Sequence, residues 1–464
     1  MNAIPNSPSR RDAAVLLHPQ TDWQTHAETG AFVLSKGDGV YVYDENGKQY
    51  IEGLAGLWCV SLGFSEERLV EAAARQMRKL PYYHVYTGRS HDPAIELAER
   101  LLKLMPVPMS KVFFANSGSE ANDTVVRLVW YFNNARGRAK KKKFIARQRA
   151  FHGSTVAAGS LTGLPNLQRD FDLPLPGFLH TEAPHYYRNA KAGESEEAFA
   201  ERLARQIEEL IVAEGGAEEC AAFIAEPIMG AGGVIVPPKG YFERVQAVLK
   251  KYDMLMVADE VICGFGRTGN MFGCETFGIR PDILTCAKAL SSSYLPISAV
   301  AISEPVYSVL AANTHKIGMF GHGFTYSAHP VSAADAVETL KIYEETDIVA
   351  RVRRIAPQFQ QRLRAFAQHP LVGEVRGIGL IGAAELVEDK ATKKAFAPER
   401  KVGAYLAKRA EEHGLIIRAM GDNIGFCPPL IVEPAQVDEL FSRFGKALDD
   451  TAAWLRDNGW KAAA

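Results

Sequence analysis

The sequence predicts an α/β protein whose main sheet is largely parallel, and two observations carry that expectation. Apolar runs of strand length alternate with segments of helical period over residues 61–330, the trace that parallel strands joined by crossover helices leave in a chain. The 464 residues are 47% hydrophobic, ample material for a buried core in two or three domains. Residues 1–60 read as a short tail and then a β-hairpin region, whose strand-like run from Gly39 closes in an Asp/Asn/Gly turn at Gly47. From residue 331 a long helix leads into a second α/β unit, which ends in a helix starting near Pro434. The expected division is a large domain at 61–330 and a small α/β domain built from both chain ends, 1–60 and 331–464.

Within the large region the strands deliver particular side chains. Lys111 to Ala115 is a strand, and Asn116 to Asn122 (NSGSEAN) turns it into a helix with apolar residues at 125, 128, 129 and 132. The buried run Ala221 to Ala225 ends in Glu226, and Tyr241 to Lys251, apolar at 242, 245, 248 and 249, reads as the crossover helix that follows. Met254 to Ala258 ends in Asp259, and Ile283 to Cys286 ends just before Lys288. If these strands are parallel, Glu226, Asp259 and Lys288 all emerge at the carboxyl edge of one sheet, where open α/β sheets bind ligands. Each alone reads as a cap, a loop ion pair or a surface lysine. Their convergence is what signals chemistry, because buried acids and lysines are rare unless paired.

The turn at Ser117, Gly118 and Ser119 opens a helix with small residues, which bares backbone N–H groups at the positive end of the dipole and suits a phosphate. Gly118 and Ser119 would touch it. The same turn also suits an ordinary cap by Ser117 or Ser119, and the two readings do not exclude each other. Gly264 to Gly269 matches GxGxxG, yet no helical stripe follows it, so it reads as a glycine-rich loop passing close to other backbone rather than a dinucleotide site. Gly230 to Gly233 reads as a loop shaping the site.

Composition excludes several classes. There are 53 basic and 54 acidic side chains, a net charge of −1, which argues against a nucleic-acid binder, and the dense run Arg138 to Lys143 reads as a solvated loop. The six cysteines show no CxxC pair and no zinc-site spacing, so neither a disulfide scaffold nor a metal site is expected. The pair Arg10 and Arg11 is followed only by the short apolar run Ala13 to Leu17, and no stretch approaches the ~18 apolar residues of a membrane span. The expectation is a cytoplasmic protein without nucleic-acid or membrane partners.

A lysine, a carboxylate and a phosphate nest together match pyridoxal 5'-phosphate: its aldehyde needs an amine, its ring nitrogen an acid, and its phosphate a set of donors. Lys288, Asp259 and the 117–119 turn supply these. The motifs around Trp58, 116–122, Phe151-His152-Gly153, Glu226-Pro227, 258–261 with 264–269, Ala287-Lys288 and 323–330 resemble class III aminotransferases, in the same order and over nearly the whole chain. The pyruvate-dependent ω-aminotransferases, the amine or β-alanine:pyruvate group, are the subgroup it resembles most.

That resemblance implies a fold-type I homodimer, possibly a tetramer, with active sites shared between subunits. It implies Lys288 as the Schiff-base lysine, Asp259 as partner of the pyridine nitrogen, Val261 and Phe151 against the ring, His152 among the cofactor-binding residues, and Glu226 in the polar network. Ser117, Gly118 and Ser119 would hold the phosphate, helped by Phe324 and Thr325 from the partner chain. Trp58, Tyr86, Phe151 and Ala231 would line substrate pockets, and Arg418 would be the mobile arginine that grips a keto-acid carboxylate. The implied reaction passes an amino group from a primary amine or ω-amino acid to pyruvate. The alternatives are a decarboxylase or aminomutase of the same fold, which alanine formation from pyruvate separates, and a non-catalytic cofactor-binding protein, in which an amine would fail to convert the bound cofactor to its pyridoxamine form. The sequence departs from the family at Phe151, where tyrosine is common, and at Gln20, where an aromatic is common.

Overall fold

The computed structural model describes residues 6–460. Its centre is a seven-stranded sheet made of Lys111–Ala115, Ser298–Ile302, Ile283–Cys286, Leu255–Asp259, Cys220–Ala225, Lys143–Arg147 and Phe178–Thr181, in that spatial order. The strands from Ile283–Cys286 to Phe178–Thr181 pair in parallel, whereas Ser298–Ile302 runs antiparallel to both of its neighbours. The expected mainly parallel sheet is therefore present.

Its strands read as continuous apolar runs because helices cover both faces. Along Cys220–Ala225 and Leu255–Asp259, Ile224 and Val257 point into a cluster with Val125, Leu128, Val129 and Phe132 of the helix Gly118–Ala135. Phe223 and Met256 point the other way, onto Leu203, Ile207, Val245 and Leu249 of the helices Glu196–Ala213 and Tyr241–Lys251. The period-2 alternation of a strand thus fills two cores at once.

Two smaller sheets flank this one. Leu34–Asp38, Tyr41–Asp44 and Gln49–Glu52 form an antiparallel meander that accepts Leu415–Ile416 as a fourth, parallel strand, so segments far apart in sequence share one sheet. Val372–Ile378, Ile381–Leu386, Asn423–Phe426 and Arg418–Met420 form an antiparallel sheet, against which the helix Pro434–Asp457 packs through Phe441 and Phe444 onto Phe426. The tail before the meander is not featureless. It holds two short helices, Pro8–Val15 and Trp23–Thr29, started by the side chains of Ser7 and Asp22 accepting backbone N–H groups. Neither helix has a buried residue, so no apolar stripe announces them.

The helix Pro330–Glu345 crosses the interior and buries one group at a cost. Asp335 is 0% exposed, and both its carboxylate oxygens, like the Thr339 hydroxyl one turn on, lack a hydrogen-bond partner among the described residues. Burial alone pushes this carboxyl up to about 8. The unfolded chain ionises Asp335 near its ordinary 3.8 while the folded chain keeps the proton until about 8, so over that interval the native state binds more protons and stability falls as pH rises. Asp335→Ala is expected to raise the denaturant-derived stability by about 1–3 kcal/mol at pH 8, with the gain disappearing toward pH 4. A gain that does not vary with pH in urea titrations contradicts this account.

Candidate active site

Five strand ends meet at one rim. Beyond Cys220–Ala225 lies Glu226, Leu255–Asp259 ends on Asp259, and Ile283–Cys286 leads through Ala287 to Lys288. Lys143–Arg147 leads to Phe151 and His152, and Lys111–Ala115 leads to the turn at Ser117. A cavity of about 390 Å³ opens there, lined by Ser117, Gly118, Ser119, Phe151, His152, Glu226, Asp259, Val261 and Lys288. The convergence expected from strand order is what parallel pairing produces.

Asp259 is held by three donors. Asn122 Nδ2 and His152 Nδ1 both donate to its Oδ2 at 2.8 Å, and the Val261 N–H donates to Oδ1 at 3.1 Å. Asn122 is itself fixed, donating also to the His152 carbonyl at 2.6 Å and accepting from Thr285 Oγ1 at 3.2 Å. The other imidazole nitrogen, His152 Nε2, is buried without a partner among the described residues. Glu226 accepts from the N–H groups of Phe151 at 3.1 Å and Gly230 at 3.0 Å, and burial, reinforced by the nearby Asp259, pushes its carboxyl above the usual range. Gly230 thus belongs to the site as a donor, in the loop expected to shape it.

Lys288 differs from these groups. No hydrogen bond of the described residues engages its Nζ, and its backbone sits at φ 49°, a left-handed conformation uncommon for a side-chain-bearing residue. Burial pulls its amine below the ordinary lysine range, and Asp259 opposes that shift. A lysine so placed carries a larger share of free amine, the form that acts as nucleophile and base.

The other end of the cavity is a cradle. Ser117 caps the helix Gly118–Ala135 by accepting from the Glu120 N–H at 3.1 Å, while the Gly118 and Ser119 N–H groups make no hydrogen bond among the described residues. The cap by Ser117 thus leaves these two N–H groups open to an anion. A Cβ at Gly118 would come within 3.2 Å of the Val261 side chain, and one at Gly153, where φ is 140°, within 2.8 Å of the Ser119 Cα. Only glycine at 153 lets the His152 loop pass this close to the helix start.

A second cavity of about 440 Å³ adjoins the first, and Leu57, Phe151, Ile262 and Lys288 line both. Trp58, Ala231 and Arg418 line this second space, as does Gln20 from the loop between the two N-terminal helices. Arg418 has no ion-pair partner among the described residues, and burial lowers its guanidinium from the usual value with nothing opposing it. Tyr86, Phe324 and Thr325 are not among the residues lining either space within one chain. They lie together elsewhere: a Cβ at Gly323 would sit 2.7 Å from the Tyr86 hydroxyl, and Tyr82 Oη donates to the Thr325 carbonyl at 2.9 Å. The GxGxxG segment opens no dinucleotide-type helix. Its Arg267 is buried and donates to the Leu380 and Pro428 carbonyls at 3.1 and 2.6 Å, which makes the segment a packing loop.

Sequence reasoning assigned no site role to Asn122 or Arg149. Asn122 lies one turn inside the helix behind the phosphate-type turn and is buried there, and nothing in the sequence sets it apart from its neighbours. Arg149 lies two residues past the Lys143–Arg147 strand, at the same rim as the residues that were assigned.

A family model described as Aminotransferase class-III matches residues 24–448. The chain belongs to the class III aminotransferases. The chloroplastic gamma aminobutyrate transaminase 3 of Solanum lycopersicum is 54% identical over 437 residues, covering 94% of this chain and 84% of that protein. Vanillin aminotransferase of Capsicum chinense is 50% identical over 430 residues, 92% and 93% of the two chains. The crystal structure of the omega transaminase from Pseudomonas jessenii in complex with PMP is similar at a TM-score of 0.96 and 56% identity, covering 98% of this chain and 100% of that one. As a class III aminotransferase the protein is a fold-type I enzyme whose cofactor is pyridoxal phosphate. The cavity fits that group: it offers two unpartnered N–H groups at a helix start, a glycine-walled cradle, an unpartnered amine and a fixed carboxylate.

Among the described residues no helix is long and apolar enough to cross a membrane. In this aminotransferase the Gly153 cradle is open to a direct test. Gly153→Ala is expected to lower stability by about 1–3 kcal/mol through backbone strain and to speed cofactor loss on dialysis, followed by visible absorbance. Unchanged cofactor retention in a folded variant would show that the close approach of the loop to the helix start is immaterial.

Proposed function

We propose that this aminotransferase moves an amino group from a primary amine or ω-amino acid to pyruvate, releasing a ketone or aldehyde and L-alanine in two half-reactions. The observation that carries this reading is Arg418, a half-buried guanidinium without a carboxylate partner among the described residues, in a cavity that Lys288 also lines. A small keto acid offers the carboxylate that Arg418 lacks, as a charge-assisted bidentate contact. The names of two relatives, a gamma aminobutyrate transaminase and a vanillin aminotransferase, and of an omega transaminase of similar structure, support amino groups remote from any α-carboxylate.

When bound, pyridoxal phosphate supplies the aldehyde that takes up the amine and the ring that stabilises negative charge on the reacting carbon. In this reading Lys288 Nζ takes the proton from the substrate carbon and returns it on the other side of the transfer, and its depressed basicity suits both directions. Asp259, fixed by Asn122, His152 and the Val261 N–H, would face the ring nitrogen, and Val261 and Phe151 would pack on the ring. Ser117, Gly118 and Ser119 would hold the phosphate, and Glu226 keeps the polar wall in place through its two backbone donors. Trp58 and Ala231 shape the substrate space, and Phe151 gives its shared wall an apolar face that suits bulky or weakly polar amines.

The same reading makes the enzyme a homodimer with shared sites, the partner's Phe324 and the partner's Thr325 completing the phosphate pocket and Tyr86 lining the substrate space. The exposed aromatic surface of Tyr82, Tyr83, Tyr86 and Tyr326 supports burial of that face. All six cysteines are free, which supports a reducing compartment such as the cytoplasm.

Lys288→Ala is expected to remove the cofactor's visible band and to lower turnover by roughly 10²–10⁴-fold. Retention of both band and turnover refutes the lysine's role. Arg418→Ala should reduce kcat/KM for pyruvate by about tenfold or more while sparing a simple arylalkylamine. Equal losses for the two substrates, measured by alanine release and by donor half-reactions, reject the carboxylate grip.

A further inference from the structure

We propose that Arg149 is a second carboxylate subsite in the substrate cavity, taking the remote carboxylate of an ω-amino acid donor. The inference rests on the reading above that donors enter the cavity shared by Lys288 and Arg418. It deepens that reading by assigning the two ends of the transfer to different cations.

Arg149 sits on the loop between the Lys143–Arg147 strand and Phe151, with φ 68°. Its backbone is clamped, because a Cβ at Gly232 would lie 2.2 Å from the Arg149 carbonyl oxygen. Its side chain is clamped at one edge as well: Nε donates to the Gly232 carbonyl at 2.9 Å. The two terminal nitrogens are left without a hydrogen bond, and no carboxylate lies within ion-pair distance of the guanidinium, among the described residues. Glu385 acts on Arg149 only at longer range, and it is already engaged by His185, Arg188 and Arg376.

Arg149 stands between two cavities: the one beyond it holds Glu385 and Asp422, whereas the one it shares with Lys288 and Arg418 is one-sided in charge. Its lining contains Arg149, Arg418 and Lys288 and not one acid, with the amides of Gln20 and Asn166 as further polar groups. Burial lowers the guanidinium of both arginines from the usual value. Half-buried cations without counterions are costly, and an anionic substrate relieves that cost.

Substrate chemistry explains why two such cations are useful. In pyruvate the carboxylate is bonded to the reacting carbon, whereas in an ω-amino acid it lies several bonds away from the carbon that bears the amine. A guanidinium that grips a carboxylate at one of these distances has to move to grip one at the other, whereas two anchors serve both without movement. Arg418 starts the strand Arg418–Met420 of the C-terminal sheet, and Arg149 belongs to the rim of the central sheet, so the two anchors stand on separate supports. Arg149 is tethered by Gly232, which suits a stationary anchor. Its free edge carries the N–H geometry of a bidentate carboxylate contact.

The test uses the cofactor-loaded enzyme and its R149Q, R149M and R149K variants. Single-turnover donor half-reactions, read from the cofactor's visible band, compare 4-aminobutanoate and 6-aminohexanoate with butylamine and hexylamine. Binding of hexanoate, which cannot react, is measured in parallel by calorimetry. R149Q, or R149M where R149Q does not fold, is expected to lower the ω-amino acid to alkylamine ratio of kcat/KM by about tenfold or more, mainly through KM. It should weaken hexanoate binding to a similar degree, and R149K should recover part of both. The subsite is overturned if every folded variant changes acids and alkylamines alike, or if hexanoate binding does not move. The pyruvate half-reaction separates the two proposals. A normal pyruvate rate in Arg418→Ala sinks the acceptor assignment, and the Arg149 ratio still decides this one.

Discussion

The site depends on an asymmetry in how buried ionisable groups are satisfied. A parallel sheet brings an acid, an imidazole, a second acid and an amine to one rim, and taking charge out of water costs several kcal/mol per group unless partners are supplied. The fold supplies them unequally. Asp259 has three donors and Glu226 two, so both carboxylates are held in orientation by the protein alone. Lys288 has no hydrogen bond among the described residues, and burial lowers its basicity. A fixed acid and an unsatisfied amine lining one cavity form an arrangement that a ligand bearing an aldehyde and a ring nitrogen would complete without reorganising the protein.

Some of the backbone conformations that side-chain-bearing residues avoid occur at the same place. Trp58, Arg149 and Lys288, all with positive φ, line the two adjoining cavities, and Gly153 stands behind the phosphate-type turn. Each non-glycine position of this kind costs about 1–3 kcal/mol and persists only where surrounding packing dictates it. At Lys288 the following segment is pinned by Ser291 Oγ donating to the Leu295 carbonyl at 2.6 Å and by Ser292 Oγ accepting from the Leu62 N–H at 2.9 Å. The stability of the core around the rim therefore holds Lys288 in an orientation that an isolated loop would not keep.

Much of this was legible in the sequence, and the reason is geometric. A parallel strand buried on both faces is a continuous apolar run, so its end is visible as the first charged residue, which is how Glu226, Asp259 and Lys288 stand out. The helix at Tyr241–Lys251 and the strand at Ile283–Cys286 fall where periodicity placed them. Less legible was everything whose determinants are local or tertiary. The two N-terminal helices rest on caps rather than on an apolar stripe, and Gln20, between them, lines the second cavity only because that tail folds back over it. Asn122 is recognisable as a site residue only once His152 and Asp259 are seen to converge on it. Arg149 carries no motif at all, and its position matters because Gly232, more than eighty residues on, closes against its backbone.

The division of polarity between the adjoining cavities follows from the residue they share. Phe151 forms part of the wall of both, contributes its backbone N–H to Glu226, and presents only a phenyl ring to the space between them. A hydroxyl there would have put a hydrogen-bonding group beside the reacting centre. Its absence leaves that stretch apolar, flanked by Leu57 and Ile262, and confines the charged groups of the second cavity to Lys288 and the two arginines. An apolar passage between cationic ends discriminates by where a substrate carries its negative charge rather than by how much it carries. On the function proposed above, a neutral amine would then meet mostly hydrocarbon, and a carboxylate would be favoured only where its distance from the reacting carbon lets one of the two guanidinium groups reach it.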